Sequence, residues 1–356
     1  YVIDDEGLLY GFDPSRAALN TSQHGQLLQT AKSGSLLRIQ QFFRDHVDAF
    51  KPHAHVIMPV CSGVARLYRQ RIGRTANTET SGAQVFNKLE IERHVYTGAL
   101  QQPFIPGSSF KGAMRTAWLD ALNAGEQPRH GETRSSAVME KRLLDGDFQT
   151  SPLRLLKVPD FMPVREPERE VLFAVNRKKR EVLKNGQIVQ AKGIAARKDC
   201  ILPGQYRLFA AHATLPALLE QMEGTDRQGK PLTPSAAQLD LDGSVDLVKL
   251  AQQSNQYHQQ RLQRELAILD ERGLVQPNWK RSIEQLLDPQ SAMGRLLQAG
   301  KAFLVRLGRY GGAESKTLTG IASIKIMGAK GSPPTFESAT KTSAPASITR
   351  CAVLGA

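Results

Sequence analysis

The run Phe104-Ile105-Pro106-Gly107-Ser108-Ser109-Phe110-Lys111-Gly112-Ala113-Met114-Arg115 sets two cations four residues apart behind a Gly-Ser-Ser turn. On a helix that spacing stacks Lys111 and Arg115 on one face. Gly107 permits a tight turn, and the hydroxyls of Ser108 and Ser109 are suited to capping. The first free N–H groups of a helix, with its dipole, favour an anion. The chemistry this pattern offers is phosphate binding. An ordinary capped helix with two surface cations would read the same way.

A second glycine-rich basic loop runs Arg306-Leu307-Gly308-Arg309-Tyr310-Gly311-Gly312-Ala313-Glu314-Ser315-Lys316-Thr317. Glycines let backbone approach a ligand, Arg309 and Lys316 neutralise phosphate, and Tyr310 offers a ring for a base to stack on. A plain hairpin loop is the alternative, because Gly-Gly is a common turn. Val305 and Leu307 before the loop, and Ile321, Ile324 and Ile326 after it, read as strand residues.

Charge points the same way. The 356 residues hold 47 Lys and Arg against 34 Asp and Glu, a net charge of +13. Such an excess favours polyanionic partners through counterion release. Aromatic residues make up only 6%, which suits backbone tracking better than an extended base-stacking platform. No GxSxG, HExxH or paired-carboxylate motif is present, and Lys111 is not followed by the Ser or Thr of a Walker A loop. Cys61, Cys200 and Cys351 are isolated, and His53 and His55 lack local carboxylate or thiol company, so neither a metal site nor a cofactor is expected. With no long apolar run and an acidic start, the expected location is cytoplasmic, without a membrane.

The elements that must position these loops follow from local pattern. Val2–Tyr10 reads as a short hairpin or strand, with Asp4-Asp5-Glu6-Gly7 as its turn, and Ser33-Gly34-Ser35 breaks a helical stretch. Val56–Val60 and Val64–Tyr68 read as strands, and 69–80 as a basic exposed loop. Asn185-Gly186 predicts a hairpin. Ser244–Gly273 is the clearest helix, capped by Ser244, with Leu247, Leu250, Leu262, Leu266 and Leu269 as its apolar stripe and a solvated or partner-facing Gln-rich middle. A further helix is expected over 282–298. Short strands and helices without a regular βαβ rhythm make this an α+β chain.

Phe104–Gly112 with its helix resembles the central motif of the RAMP superfamily of CRISPR effector proteins. Leu307–Thr317 resembles the C-terminal glycine-rich loop of the same superfamily. The opening Tyr1–Pro14 and the segment Leu155–Phe161 are similar to stretches of the head-end RAMP subunit of type III-A (Csm) complexes. Residues 165–300 do not align and read as an insertion-rich middle. The resemblance implies one RAMP-type domain over 1–356, with a ferredoxin-like (RNA-recognition-motif) core and large insertions. It also implies that a family strand upstream of Tyr1 is absent here. The implied function is a non-catalytic crRNA-binding subunit that caps the backbone filament, holds the 3′ part of the guide and supports its maturation and complex assembly. Gly107, Ser108, Ser109, Lys111, Arg115, Gly308, Arg309, Tyr310, Gly311, Gly312, Ser315 and Lys316 would contact RNA. The implied partners are crRNA, other RAMP subunits and, by proximity, target RNA. The alternatives are a RAMP endoribonuclease processing precursor crRNA, or another backbone RAMP subunit.

Overall fold

The computed structural model describes residues 1–16, 19–78, 84–87, 89–98, 101–132, 136–144, 153, 156–178, 183–188, 196–214, 228, 246–308, 314–321, 323–326, 335–338 and 347–352. Strands β1 (Val2–Ile3), β2 (Leu8–Phe12) and β3 (Ala54–Pro59) form an antiparallel sheet. The turn between β1 and β2 is where the sequence places it. Asp4 accepts from the Glu6 and Leu8 amides, and Gly7 takes φ +83°. Helices α1 (Thr21–Lys32) and α2 (Leu36–Asp45) lie between β2 and β3. Asn20 and Gln23 close a reciprocal capping box on α1, and Gly34 at φ +62° makes the expected break.

Residues 62–71 form helix α4, which follows the short helix α3 (Val47–Phe50), instead of a strand and a basic loop. Val64, Ala65 and Tyr68 fall at helical spacing and are buried against the sheet. The chain then makes two small antiparallel pairs, β4 (Thr75–Thr78) with β5 (Gln84–Phe86) and β7 (Tyr96–Thr97) with β8 (Gln102–Pro103). Between them lies β6 (Ile91–Glu92), the edge of a second sheet. Helix α5 (Gly107–Asn123) follows, then α6 (Ser136–Leu143) and β9 (Met162–Pro163). The second sheet is built on β10 (Arg169–Lys178), with β13 (Ala196–Ile201) and the C-terminal β17 (Ser347–Ala352) on either side. The hairpin β11 (Leu183–Lys184) and β12 (Gln187–Ile188) turns at Asn185 and Gly186, both at positive φ as that dipeptide predicts. The strand β14 (Phe209–Ala210) pairs with β9.

The two sheets meet where Val60 bridges Val171, and the Cys61 amide donates to the Val171 carbonyl. Around that seam Ile3, Leu9, Val56, Met58, Val171 and Phe173 build one core with α4. A second core joins α5 to the long helix α7 (Leu247–Glu271), through Met114, Leu153, Leu156 and Leu250. Asp246, not Ser244, caps α7, and Gly273 ends it at φ +60°. The helix expected over 282–298 is two helices, α8 (Pro277–Leu287) and α9 (Ala292–Gln298), parted at Asp288-Pro289 where proline cannot continue a helix. No strand forms at Val305 or Leu307. The strand β15 (Ser323–Ile326) forms where Ile324 and Ile326 place it and pairs with β16 (Thr335–Ser338). The chain is α+β.

Candidate nucleic-acid interface

Helix α5 starts at Gly107 itself, with Pro106 in the cap position. Ser108 and Ser109 are therefore inside the first turn, exposed, and do not cap it. The Gly107 amide donates to the Asp160 carboxylate at 2.9 Å. An aspartate thus already occupies the anion position at this helix start. Gly107 is glycine for packing. A Cβ there would lie 2.2 Å from the Val158 carbonyl oxygen and 2.3 Å from that of Pro159. Gly112, in the same motif, has open space around its Cβ position. The two glycines therefore have opposite expected responses to alanine. Gly107→Ala should destabilise by on the order of 2 kcal/mol through overpacking against backbone. Gly112→Ala should stabilise by about 0.5–1 kcal/mol, as glycine-to-alanine does in a helix interior. Chemical unfolding of both variants checks the pair, and equal shifts would refute the packing role of Gly107.

Lys111 reaches back to donate to the Leu156 carbonyl at 2.7 Å. Burial, and then the neighbouring Lys157 ammonium, lower its pKa. Arg115 points elsewhere and pairs with Glu140 of α6. The two cations share a face, as their spacing requires, but they face different partners.

The second loop is anchored to α5 and α7 at both ends. On its lead-in side Ser254 donates to the Leu304 carbonyl at 3.0 Å. Asn255 donates to the carbonyls of Leu297 and Ala302, both at 2.8 Å, and accepts from the Leu304 amide. Arg306 pairs with Glu265 of α7. On its far side the Tyr257 hydroxyl donates to the Thr317 carbonyl at 2.7 Å, and Arg261 donates to it at 3.0 Å while stacked 3.3 Å from the Tyr257 ring centroid. Burial pushes the Tyr257 phenol up to about 12. Asp120 of α5 then accepts from both the amide and the hydroxyl of Thr319. Gly308 takes φ +95°, a conformation that suits glycine. Ser315 is buried and Lys316 exposed. Arg309, Tyr310, Gly311 and Gly312 lie outside the described residues.

The structure thus brings the flanks of the loop to α5. Val305 and Leu307 line one cavity with Ile105 and Phe110 beside the first turn, and Thr319 meets α5 near its other end.

Sequence reasoning missed the residues that do the anchoring. Ser254, Asn255, Tyr257 and His258 are buried on α7, amid a stretch whose glutamines suggest a solvated face. Their phase was the available signal, since 254, 257 and 258 continue the stripe begun by Leu250 and Ala251. His258 is 3% exposed, and neither ring nitrogen makes a hydrogen bond of normal geometry, although the Ala113 carbonyl lies close. Burial, then Arg261, hold its pKa down to about 4. Burial also lowers the pKa of His94, which lies close to Asp199 and Arg169. Among the described residues no three His, Cys, Asp or Glu side chains gather as a metal site, and no helix is long and apolar enough to cross a membrane.

Residues 72–230 match the family model of the RAMP superfamily. That stretch, somewhat under half of the chain, is similar to RAMP sequence. It holds α5 with Lys111, Arg115 and Asp160, whereas the long helix and the second loop lie beyond it. Curated proteins give no match to the chain. Among solved structures it is similar to Csm5 of T. onnurineus, at 14% identity, covering 86% of this chain and 83% of that one, with a TM-score of 0.44. It is also similar to a chain of a Csm–crRNA–target RNA ternary complex of a type III-A CRISPR-Cas system, at 16% identity, covering 88% and 80%, with a TM-score of 0.44.

Proposed function

We propose that this chain is a non-catalytic crRNA-binding RAMP subunit of a type III-A effector complex, working in the cytoplasm on a ferredoxin-like core with insertions. In this reading it caps the backbone filament, holds the 3′ part of the guide, and meets target RNA and other RAMP subunits. The observation that carries the reading lies at α5, inside the RAMP match. Lys111 is held by the Leu156 carbonyl on the first turns of that helix, where burial, and then the Lys157 ammonium, lower its pKa. A half-buried ammonium with a second cation nearby gains from a polyanion that offsets its desolvation and the repulsion together. The flanks of the glycine-rich loop arrive at the same helix, and the net charge of +13 supplies long-range attraction. Phosphate and ribose would be the groups held, leaving base edges free to pair.

The test is salt-dependent binding of single-stranded RNA by the full chain. Lys111→Ala should weaken binding by on the order of tenfold for every sequence and flatten the slope of log K against log salt by about 0.7. Lys111→Ala with Arg115→Ala should go further. Asp160→Asn, which keeps an acceptor for the Gly107 amide but removes the competing charge, should tighten binding. Intact RNA should be recovered from every binding reaction. Unchanged affinity and slope in the double variant would remove α5 from the site. Expressed with its neighbours, the chain should co-purify with a short RNA of defined 3′ end and with other RAMP subunits.

A further inference from the structure

A cavity of about 430 Å³, open to solvent, adjoins the first turn of α5. One wall is Ile105, Phe110 and Phe161. The Ile105 and Phe161 backbones are locked by a mutual pair of hydrogen bonds, at 3.1 and 2.8 Å, and the two phenylalanine rings sit 5.0 Å apart. Val305 and Leu307, leading into the glycine-rich loop, add a second side, and residues 201–209 close the third.

That third wall is rigid at its base and cationic at its lip. The Gln205 amide donates to the Glu168 and Leu202 carbonyls, at 3.0 and 2.8 Å, and accepts from the Glu168 amide at 2.8 Å. The adjoining Tyr206 is 75% exposed, and its carbonyl accepts from the Arg165 guanidinium at 3.3 Å. Arg207, also exposed, sits at φ +51°, a strained backbone for a residue that is not glycine. An apolar aromatic cleft with Arg207 in its wall, and with the exposed Tyr206 adjoining that wall in the chain beside its partner Arg165, is matched by a ligand with a flat apolar body and flanking negative charge.

We infer that this cavity receives one unstacked nucleobase of single-stranded RNA, with Arg207 on an adjoining phosphate and Tyr206 offering a face to the next base. The inference rests on the RNA-binding reading above and adds to it a base-holding site outside both glycine-rich loops. The base enters between Phe110, Phe161 and the 201–209 wall, with its polar edge toward the open mouth. An apolar side chain of a protein partner is the competing occupant, and it has no use for the charge at the lip.

The experiment is photocrosslinking of a 5-iodouridine-substituted oligouridylate to the full chain, with peptide mapping, alongside equilibrium binding of the same RNA. Adducts should map to Phe110, Phe161 or Tyr206. Val305→Trp, which fills the cavity, should cut their yield about tenfold. Arg207→Gly, which relaxes the strained backbone and so keeps the fold, should lower the yield several-fold and flatten the salt slope by about 0.7. Binding that persists with adducts only on other segments would overturn the base site and leave the RNA reading standing. Adducts on these residues that Val305→Trp leaves undiminished would overturn it too, as surface labelling. Absence of any RNA binding would overturn both.

Discussion

Asn255→Leu should lower the unfolding free energy by about 4 kcal/mol, and it should do so by releasing the chain that leads into the glycine-rich loop. Asn255 is 5% exposed, and its single amide group satisfies three backbone groups, the carbonyls of Leu297 and Ala302 and the amide of Leu304. Leucine fills nearly the same volume but offers no donor or acceptor. Each buried backbone group left without a partner costs about 1–3 kcal/mol, and partial hydration of the three keeps the total below their sum. Urea unfolding measures the loss, and hydrogen exchange localises it, with the Leu304 amide losing protection first. Gln256→Leu, one residue along on the exposed face, should shift stability by no more than about 0.5 kcal/mol. If Asn255→Leu behaved like Gln256→Leu, the clamp would carry no weight in the folded state.

Acid should expose the second large effect. His258 is held neutral in the folded protein, with its pKa lowered to about 4 against an ordinary 6.5. Between those values the unfolded chain binds a proton that the folded chain refuses, so stability contributed by the neutral ring is full above pH 6.5 and drains away as pH falls toward 4. The gap corresponds to about 3 kcal/mol. His258→Leu removes the titrating group and keeps the apolar contacts with α5. The stability of wild type relative to this variant should therefore fall by about 3 kcal/mol from pH 7 to pH 4. Asp4 and Glu132, whose pKa values are lowered, add acid sensitivity of their own that cancels in the comparison. A pH-independent difference between the two proteins would show that the ring is solvated or paired.

The local grammar of the chain was readable wherever one residue decides the backbone. Asn185-Gly186 and Gly7 turn where their dipeptides say they should, because positive φ is a property of those residues. Val64–Tyr68 misled because five residues of mixed apolar character fit either period, and only burial against β10 selects the helix. At the candidate site, residue types were legible and partners were not. Lys111 and Arg115 do share a helix face. Leu156, Glu140 and Asp160, the groups they and Gly107 engage, come from distant segments that only the fold brings together. The same holds for α7, where Asn255 and His258 sit in the apolar phase of the helix but look like members of a glutamine-rich surface until α5 and residues 297–304 pack on them.

The two-ended anchoring of the second loop has a consequence for how its length can change. Residues 302–306 are fixed by Ser254, Asn255 and Glu265, and Thr317 and Thr319 by Tyr257, Arg261 and Asp120, so both ends are set by helices whatever joins them. Closing a flexible connection between fixed ends costs only about 0.6 kcal/mol more for each doubling of its length. By that arithmetic, a variant with residues inserted after Gly308 should keep both flanks, 302–306 and 317–319, seated on α5 and α7.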